Sequence, residues 1–87
     1  MTWTVILTGR AYKQLKKLPT TIQDLADAAI HDLEAAGPKP MGWDVRKTGD
    51  DEYRLRLTYR YRMRYRVVGG QLQIEVFYLG HRKDAYR

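Results

Sequence analysis

Residues 53–79 read YRLRLTYRYRMRYRVVGGQLQIEVFYL. From Tyr53 to Val67 the odd positions are Tyr, Leu, Leu, Tyr, Tyr, Met, Tyr and Val, and the even positions are Arg54, Arg56, Thr58, Arg60, Arg62, Arg64 and Arg66. A period of two this strict predicts β-structure with one apolar and one arginine face. Left straight, the run would extend ~50 Å, against a radius of gyration of ~12 Å for a compact chain of this length. It must turn back on itself. Keeping every arginine on one face requires an odd-length loop, and Thr58-Tyr59-Arg60 supplies one, pairing Leu57 with Tyr61, Leu55 with Met63 and Tyr53 with Tyr65. Gly69-Gly70 then reads as a two-residue hairpin turn. It would pair Val68 with Gln71, Tyr65 with Ile74, Met63 with Val76 and Tyr61 with Tyr78; on the other face Arg66 meets Gln73, Arg64 meets Glu75 and Arg62 meets Phe77. The expected result is a three-stranded antiparallel meander whose outer face carries Arg54, Arg56, Arg62, Arg64 and Arg66 with one glutamate.

Upstream, Thr2–Thr8 is β-branched and aromatic, with Trp3, Val5 and Leu7 alternating, and reads as a first strand. Thr8 caps a short helix over 9–18, which Pro19 ends. Thr20 and Gln23 form a capping-box pair for a second helix, whose apolar face is Ile22, Leu25, Ala26, Ala29, Leu33 and Ala36, and which Gly37-Pro38 closes. Residues 38–51 read as a loop with a short strand around Trp43–Lys47. The acidic run Asp50-Asp51-Glu52 reads as turn chemistry, not a metal site. Residues 1–87 thus form a single α+β domain, β-α-α-β-β-β, with a helical hairpin on one face of a mainly antiparallel sheet.

The net charge is +6 and there is no cysteine, which excludes disulfides, thiolate zinc and cysteine catalysis. No apolar run reaches the ~18–20 residues of a membrane span, so a cytoplasmic protein without membrane, metal or cofactor is expected. Residues 1–52 hold 7 basic and 8 acidic side chains, whereas residues 53–87 hold 9 basic and 2 acidic. The surplus belongs to the last segment alone and points to a localised anion-binding surface. On that surface Phe77 is the aromatic placed either to stack a base or to be covered by a partner. Tyr53, Tyr61 and Tyr65 fall on the core face, and Tyr59 lies in the loop. Lys13, Lys16 and Lys17 line the solvated side of the first helix, and His31 is an exposed helix residue.

The blocks KKLP (16–19), YRLR (53–56), YRMRYRV (61–67) and GHRKDAY (80–86), in this order and at this chain length, resemble the RelE/ParE superfamily of bacterial toxins from toxin–antitoxin pairs. The resemblance departs at Thr48, where the family usually has an apolar residue, and in the glycine-free first meander loop. It implies a cognate antitoxin and, in the ribonuclease branch, cleavage of mRNA on the ribosome, next to ribosomal RNA. In that reaction the ribose 2′-hydroxyl attacks the adjacent phosphate without a metal. By motif position Arg54 and Arg56 match the basic pair of the second block, Arg62 the arginine of the YR block, Arg82 that of the HR block and Tyr86 the near-terminal tyrosine. Arg60, Arg64, Arg66 and Phe77 would complete the RNA surface. Arginine at 56 is a poor general base, so proton transfer passes to His81, with Tyr86 as its partner. The same resemblance leaves two alternatives: a ParE-like inhibitor of DNA gyrase, or a non-catalytic member that binds RNA or antitoxin.

Overall fold

The computed structural model describes residues 2–83. Thr8 Oγ1 accepts a hydrogen bond from Ala11 N at 3.1 Å, so the threonine that follows the first strand, β1 (Thr4–Leu7), caps the first helix, α1 (Gly9–Lys17). The second helix, α2 (Thr20–Ala36), begins differently from the expected capping box. Pro19 occupies the cap position and Thr20 is already helical. Gln23 reaches back instead to the preceding helix, its Nε2 donating to Leu18 O at 2.9 Å and Lys16 O at 3.4 Å. The short Leu18-Pro19 link brings the last carbonyls of α1 within reach of that amide, which gives them the partner a helix end lacks. At the far end Gly37 adopts φ +90, and a Cβ there would lie 2.9 Å from Trp3 Nε1. Only glycine meets both conditions.

Four further strands follow: β2 (Asp44–Gly49), β3 (Glu52–Arg56), β4 (Tyr61–Val68) and β5 (Gln73–His81). They form one sheet in the order β1-β5-β4-β3-β2, with β1 parallel to β5 and the other pairs antiparallel. The α+β class is as the sequence indicates, and β2 is a full strand in the meander. Residues Asp50 and Asp51 form the β2–β3 turn, Asp51 at φ 58, a conformation Asp tolerates better than most residues.

The first meander turn has the expected register, with Tyr53 opposite Tyr65, Leu55 opposite Met63 and Arg56 opposite Arg62. The second does not. Val68 pairs with Gln73, Val67 with Ile74, Arg66 with Glu75 and Tyr65 with Val76, so the turn spans Gly69–Leu72 rather than Gly69-Gly70 alone. Gly70 (φ 73) and Leu72 (φ 50) supply the left-handed steps. A shift of two residues keeps every side chain on its face, so alternation cannot detect it. Beyond Tyr65 the register changes again: Arg64 meets Tyr78, Met63 meets Leu79, Arg62 meets Gly80 and Tyr61 meets His81. Phe77 is the extra residue of a β-bulge. The expected pairs Arg62–Phe77, Arg64–Glu75, Met63–Val76 and Tyr61–Tyr78 are therefore replaced.

The helices cover the odd-numbered face of β3 and β4. Ala11, Ile22, Ala26, Ala29 and Leu33 pack there against Tyr53, Leu55, Leu57, Met63, Tyr65, Ile74, Val76 and Leu79. Tyr65 is fully buried, and its hydroxyl donates to Pro38 O at 2.5 Å. Burial, reinforced by neighbouring Tyr53, holds its phenol protonated well above the usual tyrosine range. Trp43 Nε1 donates to Asp32 Oδ2 at 2.8 Å and pins the 38–43 connection to α2. No helix among the described residues is long and apolar enough to cross a membrane.

Candidate functional site

The uncovered face of the sheet is a lattice of cross-strand rows set by the register. One row runs Asp44, Arg56, Arg62, Gly80; the next Arg46, Arg54, Arg64, Tyr78; a third includes Glu52, Arg66 and Glu75. Three carboxylates sit among the arginines, not the single glutamate expected. Arg56 Nε lies 3.5 Å from Asp44, Arg64 Nη2 3.9 Å from Glu52 and Arg66 Nε 3.4 Å from Glu75. Asp44 and Arg46 join the face because β2 continues the meander. Their alternation around Val45 is the sequence signal for it, and the same strand adds Arg46 to the cations. Arg46, Arg54 and Arg64 stand side by side on three adjacent strands, where like charges oppose one another. Six guanidinium groups against three carboxylates leave the face net positive.

Phe77 lies on this face, beside Arg64 and Arg66 and not beside Arg62. Their guanidinium carbons are 5.2 and 4.3 Å from its ring centroid. The bulge also moves Tyr78 from the expected core face to the arginine face and carries Leu79 into the core. The loss of alternation in Val76-Phe77-Tyr78-Leu79 is its signature in the sequence.

Arg62 does not project into solvent. It is 4% exposed, and its Nη1 donates to Thr58 O at 2.6 Å, Tyr59 O at 2.9 Å and Tyr61 O at 3.3 Å. The arginine thus clamps the 58–60 loop from beneath. Thr58 Oγ1 reinforces the turn by accepting from Arg60 N at 3.2 Å and Tyr61 N at 3.3 Å. Arg54 is also buried, whereas Arg56 and Arg66 are partly open to solvent.

At the end of the sheet, Tyr59, Arg60, His81, Arg82 and Lys83 line a cleft of about 280 Å³. Arg82 N donates to Arg60 O at 2.7 Å, bringing the two arginines together, and the Arg82 guanidinium lies 4.2 Å over the Tyr59 ring. His81 is set opposite Tyr61, their rings edge-to-face at 5.7 Å. Parity therefore puts His81 on the Tyr61 side of the strand, not the arginine side. Its Nδ1 accepts from Lys83 N at 3.2 Å. A backbone amide can only donate, so the neutral imidazole carries its proton on Nε2. Gly80 allows this arrangement: the Tyr78 hydroxyl donates to His81 O at 3.1 Å, and a Cβ at position 80 would lie 2.6 Å from that hydroxyl.

The chain thus gathers Arg60, His81 and Arg82 at one cleft, sets Arg62 beneath the adjoining loop and spreads Arg54, Arg56, Arg64, Arg66 and Phe77 over the neighbouring face. Tyr86 lies outside the described residues. Tyr59 and Lys83 complete the cleft, and sequence reasoning gave neither a site role. A wider groove of about 440 Å³ lies on the far side of β5, against α1, where Gln14 Oε1 accepts from Leu79 N at 2.9 Å and caps the strand edge left open by the end of β1. Among the described residues no three His, Asp or Glu side chains come together as a metal site.

Residues 5–86 match the family model described as the ParE toxin of type II toxin–antitoxin system, parDE. Among solved structures, the chain is similar to the archaeal RelE–RelB complex from Pyrococcus horikoshii, at 27% identity and TM-score 0.79 over 98% of this chain and 100% of that one. It is similar to the toxin–antitoxin complex RelBE2 from Mycobacterium tuberculosis, at 26% identity and TM-score 0.69 over 94% and 100%. The likeness to a mutant form of the E. coli toxin RelE in the free state, at 19% identity and TM-score 0.80 over 99% and 90%, concerns the fold alone. No curated protein matches the chain.

Proposed function

The chain belongs to the ParE toxin family of type II toxin–antitoxin systems, within the RelE/ParE superfamily, and on that premise we propose that it is an endoribonuclease that cuts mRNA on the ribosome. The observation that carries this reading is the cleft at the end of the arginine face, where Arg60, His81, Arg82 and Lys83 line one small concavity. Cleavage by 2′-hydroxyl attack needs charge stabilisation at the phosphorane and a group that moves protons. Arg82 and Arg60 are planar, permanently charged donors suited to phosphate oxygens. Arg82 is oriented by its contact with Tyr59 and by its backbone bond to Arg60. His81 is the proton-transfer group: Nδ1 takes the proton of the 2′-hydroxyl as its oxygen bonds to phosphorus, and the imidazolium so formed gives its Nε2 proton to the leaving 5′-oxygen as that P–O bond breaks. For Nδ1 to act as a base, the Lys83 amide must first release it. Arg56, Arg64 and Arg66 hold the flanking RNA backbone, and Arg54 adds positive field from beneath.

The partner that silences this surface is a cognate antitoxin, in keeping with the RelE–RelB complexes that the fold resembles. An acidic antitoxin segment suits the net positive face, and its binding weakens as salt rises.

A second reading, inhibition of DNA gyrase, is favoured by the ParE description of the matching family model and by the engagement of Arg62 with its own loop. Primer extension on cellular mRNA after induction separates the two. Cuts within translated codons are expected. Intact mRNA together with double-strand DNA breaks would instead establish the gyrase reading.

A further inference from the structure

Tyr59 is the tip of a three-residue loop, 64% exposed, and makes no contribution to the core. An exposed loop of this kind ordinarily needs no internal scaffold, yet this one has one. The Arg62 guanidinium is buried to bind the loop's carbonyls, and Thr58 Oγ1 accepts two of its backbone amides. Burying a charged group is costly unless it is fully engaged. Here the result is a backbone held in place beneath one exposed aromatic ring. The guanidinium of Arg82 lies 4.2 Å from that ring, and Arg60 and Lys83 line the same cleft. An exposed aromatic ring beside a guanidinium, with two further cations in the same cleft, combines what binds the bases and the phosphates of an unpaired nucleic-acid chain.

We propose that Tyr59 is a stacking platform for one unpaired nucleobase of the RNA, with Arg82 and Tyr59 forming a cation–aromatic pair beside it and Arg60 and Lys83 taking the adjoining phosphates. The proposal deepens the reading of the chain as an RNA-acting toxin and rests on it for the class of ligand. Stacking is blind to base identity, so this subsite fixes where the strand lies, not which codon is read. Held in this way, an adjoining phosphate lies among Arg60, Arg82 and Lys83, within the cleft that His81 also lines. Tyr59 is therefore a positioning residue for the cleavage step.

The test is equilibrium binding, by fluorescence anisotropy, of a short single-stranded 2′-O-methyl RNA and of an abasic strand of the same length and charge. Blocking the 2′-hydroxyl separates binding from cleavage. The full chain is expected to bind the base-containing strand ~5- to 100-fold more tightly than the abasic one. Tyr59→Ala removes most of that difference, Tyr59→Phe keeps it, and neither changes the melting temperature by more than a few degrees. The ratio of the two affinities persists as salt rises while both affinities fall. Equal affinity for the two strands, absence of binding to either, or a base preference unchanged in Tyr59→Ala would each overturn the proposal. So would a Tyr59→Ala chain that loses affinity for its antitoxin alone. If base-dependent binding persists while no ribosomal mRNA is cut, the stacking site stands and the ribonuclease reading falls.

Discussion

Replacing Arg62 by Met distinguishes a loop clamp from a phosphate ligand awaiting RNA. Methionine keeps an apolar stem of similar reach and removes the guanidinium. Nη1 carries two hydrogens, so of its three carbonyl contacts at 2.6, 2.9 and 3.3 Å only the two shorter ones count as full bonds. Bonds involving a charged donor contribute ~1.5–3 kcal/mol each. The Tyr59 end of the loop is open to water and recovers part of the loss, which sets the expected cost at ~3 kcal/mol, near the lower bound for two such bonds. For a domain of this size that corresponds to a fall of ~12–24 °C in melting temperature. Arg62→Lys should recover only part of it, because a single ammonium does not reproduce the geometry of the fork. Thermal unfolding followed by circular dichroism measures both. An Arg62→Met chain that melts with the wild type but has lost RNA affinity would refute the clamp and return Arg62 to the set of phosphate ligands.

Three other perturbations follow from the same geometry. Gly80→Ala sets a methyl carbon 2.6 Å from the Tyr78 hydroxyl and 2.9 Å from its Cζ, so it should displace that ring from His81 O and reduce RNA cleavage ~10-fold; pairing it with Tyr78→Phe, which removes the closer of the two clashes, should restore part of the activity. Glu52→Gln with Glu75→Gln removes two of the three counter-charges on the arginine face, and should change stability by no more than ~1 kcal/mol while raising RNA affinity at low salt, as filter binding would show. Tyr65 has its folded-state phenol held protonated by burial and by Tyr53. Below pH ~10 it is neutral whether the chain is folded or unfolded, and above that the unfolded chain ionises first, so stability should fall by up to ~1.4 kcal/mol per pH unit from this group. Urea denaturation on either side of pH ~10 should show a smaller decline for Tyr65→Phe, and equal declines would contradict the buried, protonated phenol.

What the sequence could and could not disclose follows from the period of the signal. Alternation over Tyr53–Val67 assigns each side chain to a face, and the odd-loop rule gave the β3–β4 register residue for residue. The same alternation is silent about shifts of two, which is why the β4–β5 pairing came out displaced at the Gly69–Leu72 turn. The bulge at Phe77 changes the parity itself. It carries His81 to the Tyr61 side and Tyr78 to the arginine side, so the proximity of His81 to Arg60 and Arg82 arises at the end of the sheet, not across its face. The role of Arg62 was legible only as a charge. Its burial depends on the loop carbonyls that curl over it, and no composition or spacing encodes that. Gln23 at the helix junction is a similar case, its side chain being drawn to carbonyls of the preceding helix by a two-residue link.

Whether the cleft of Arg60, His81 and Arg82 cuts RNA is decided by adding the purified chain to ribosomes programmed with a defined mRNA and determining the chemistry of the new ends. Cuts within the ribosome-bound codon that leave a 2′,3′-cyclic phosphate and a free 5′-hydroxyl are expected, with the rate lowered ~100-fold or more in His81→Ala and in Arg82→Ala. Intact mRNA under these conditions, or a His81→Ala chain cutting at the wild-type rate, would contradict cleavage at this cleft.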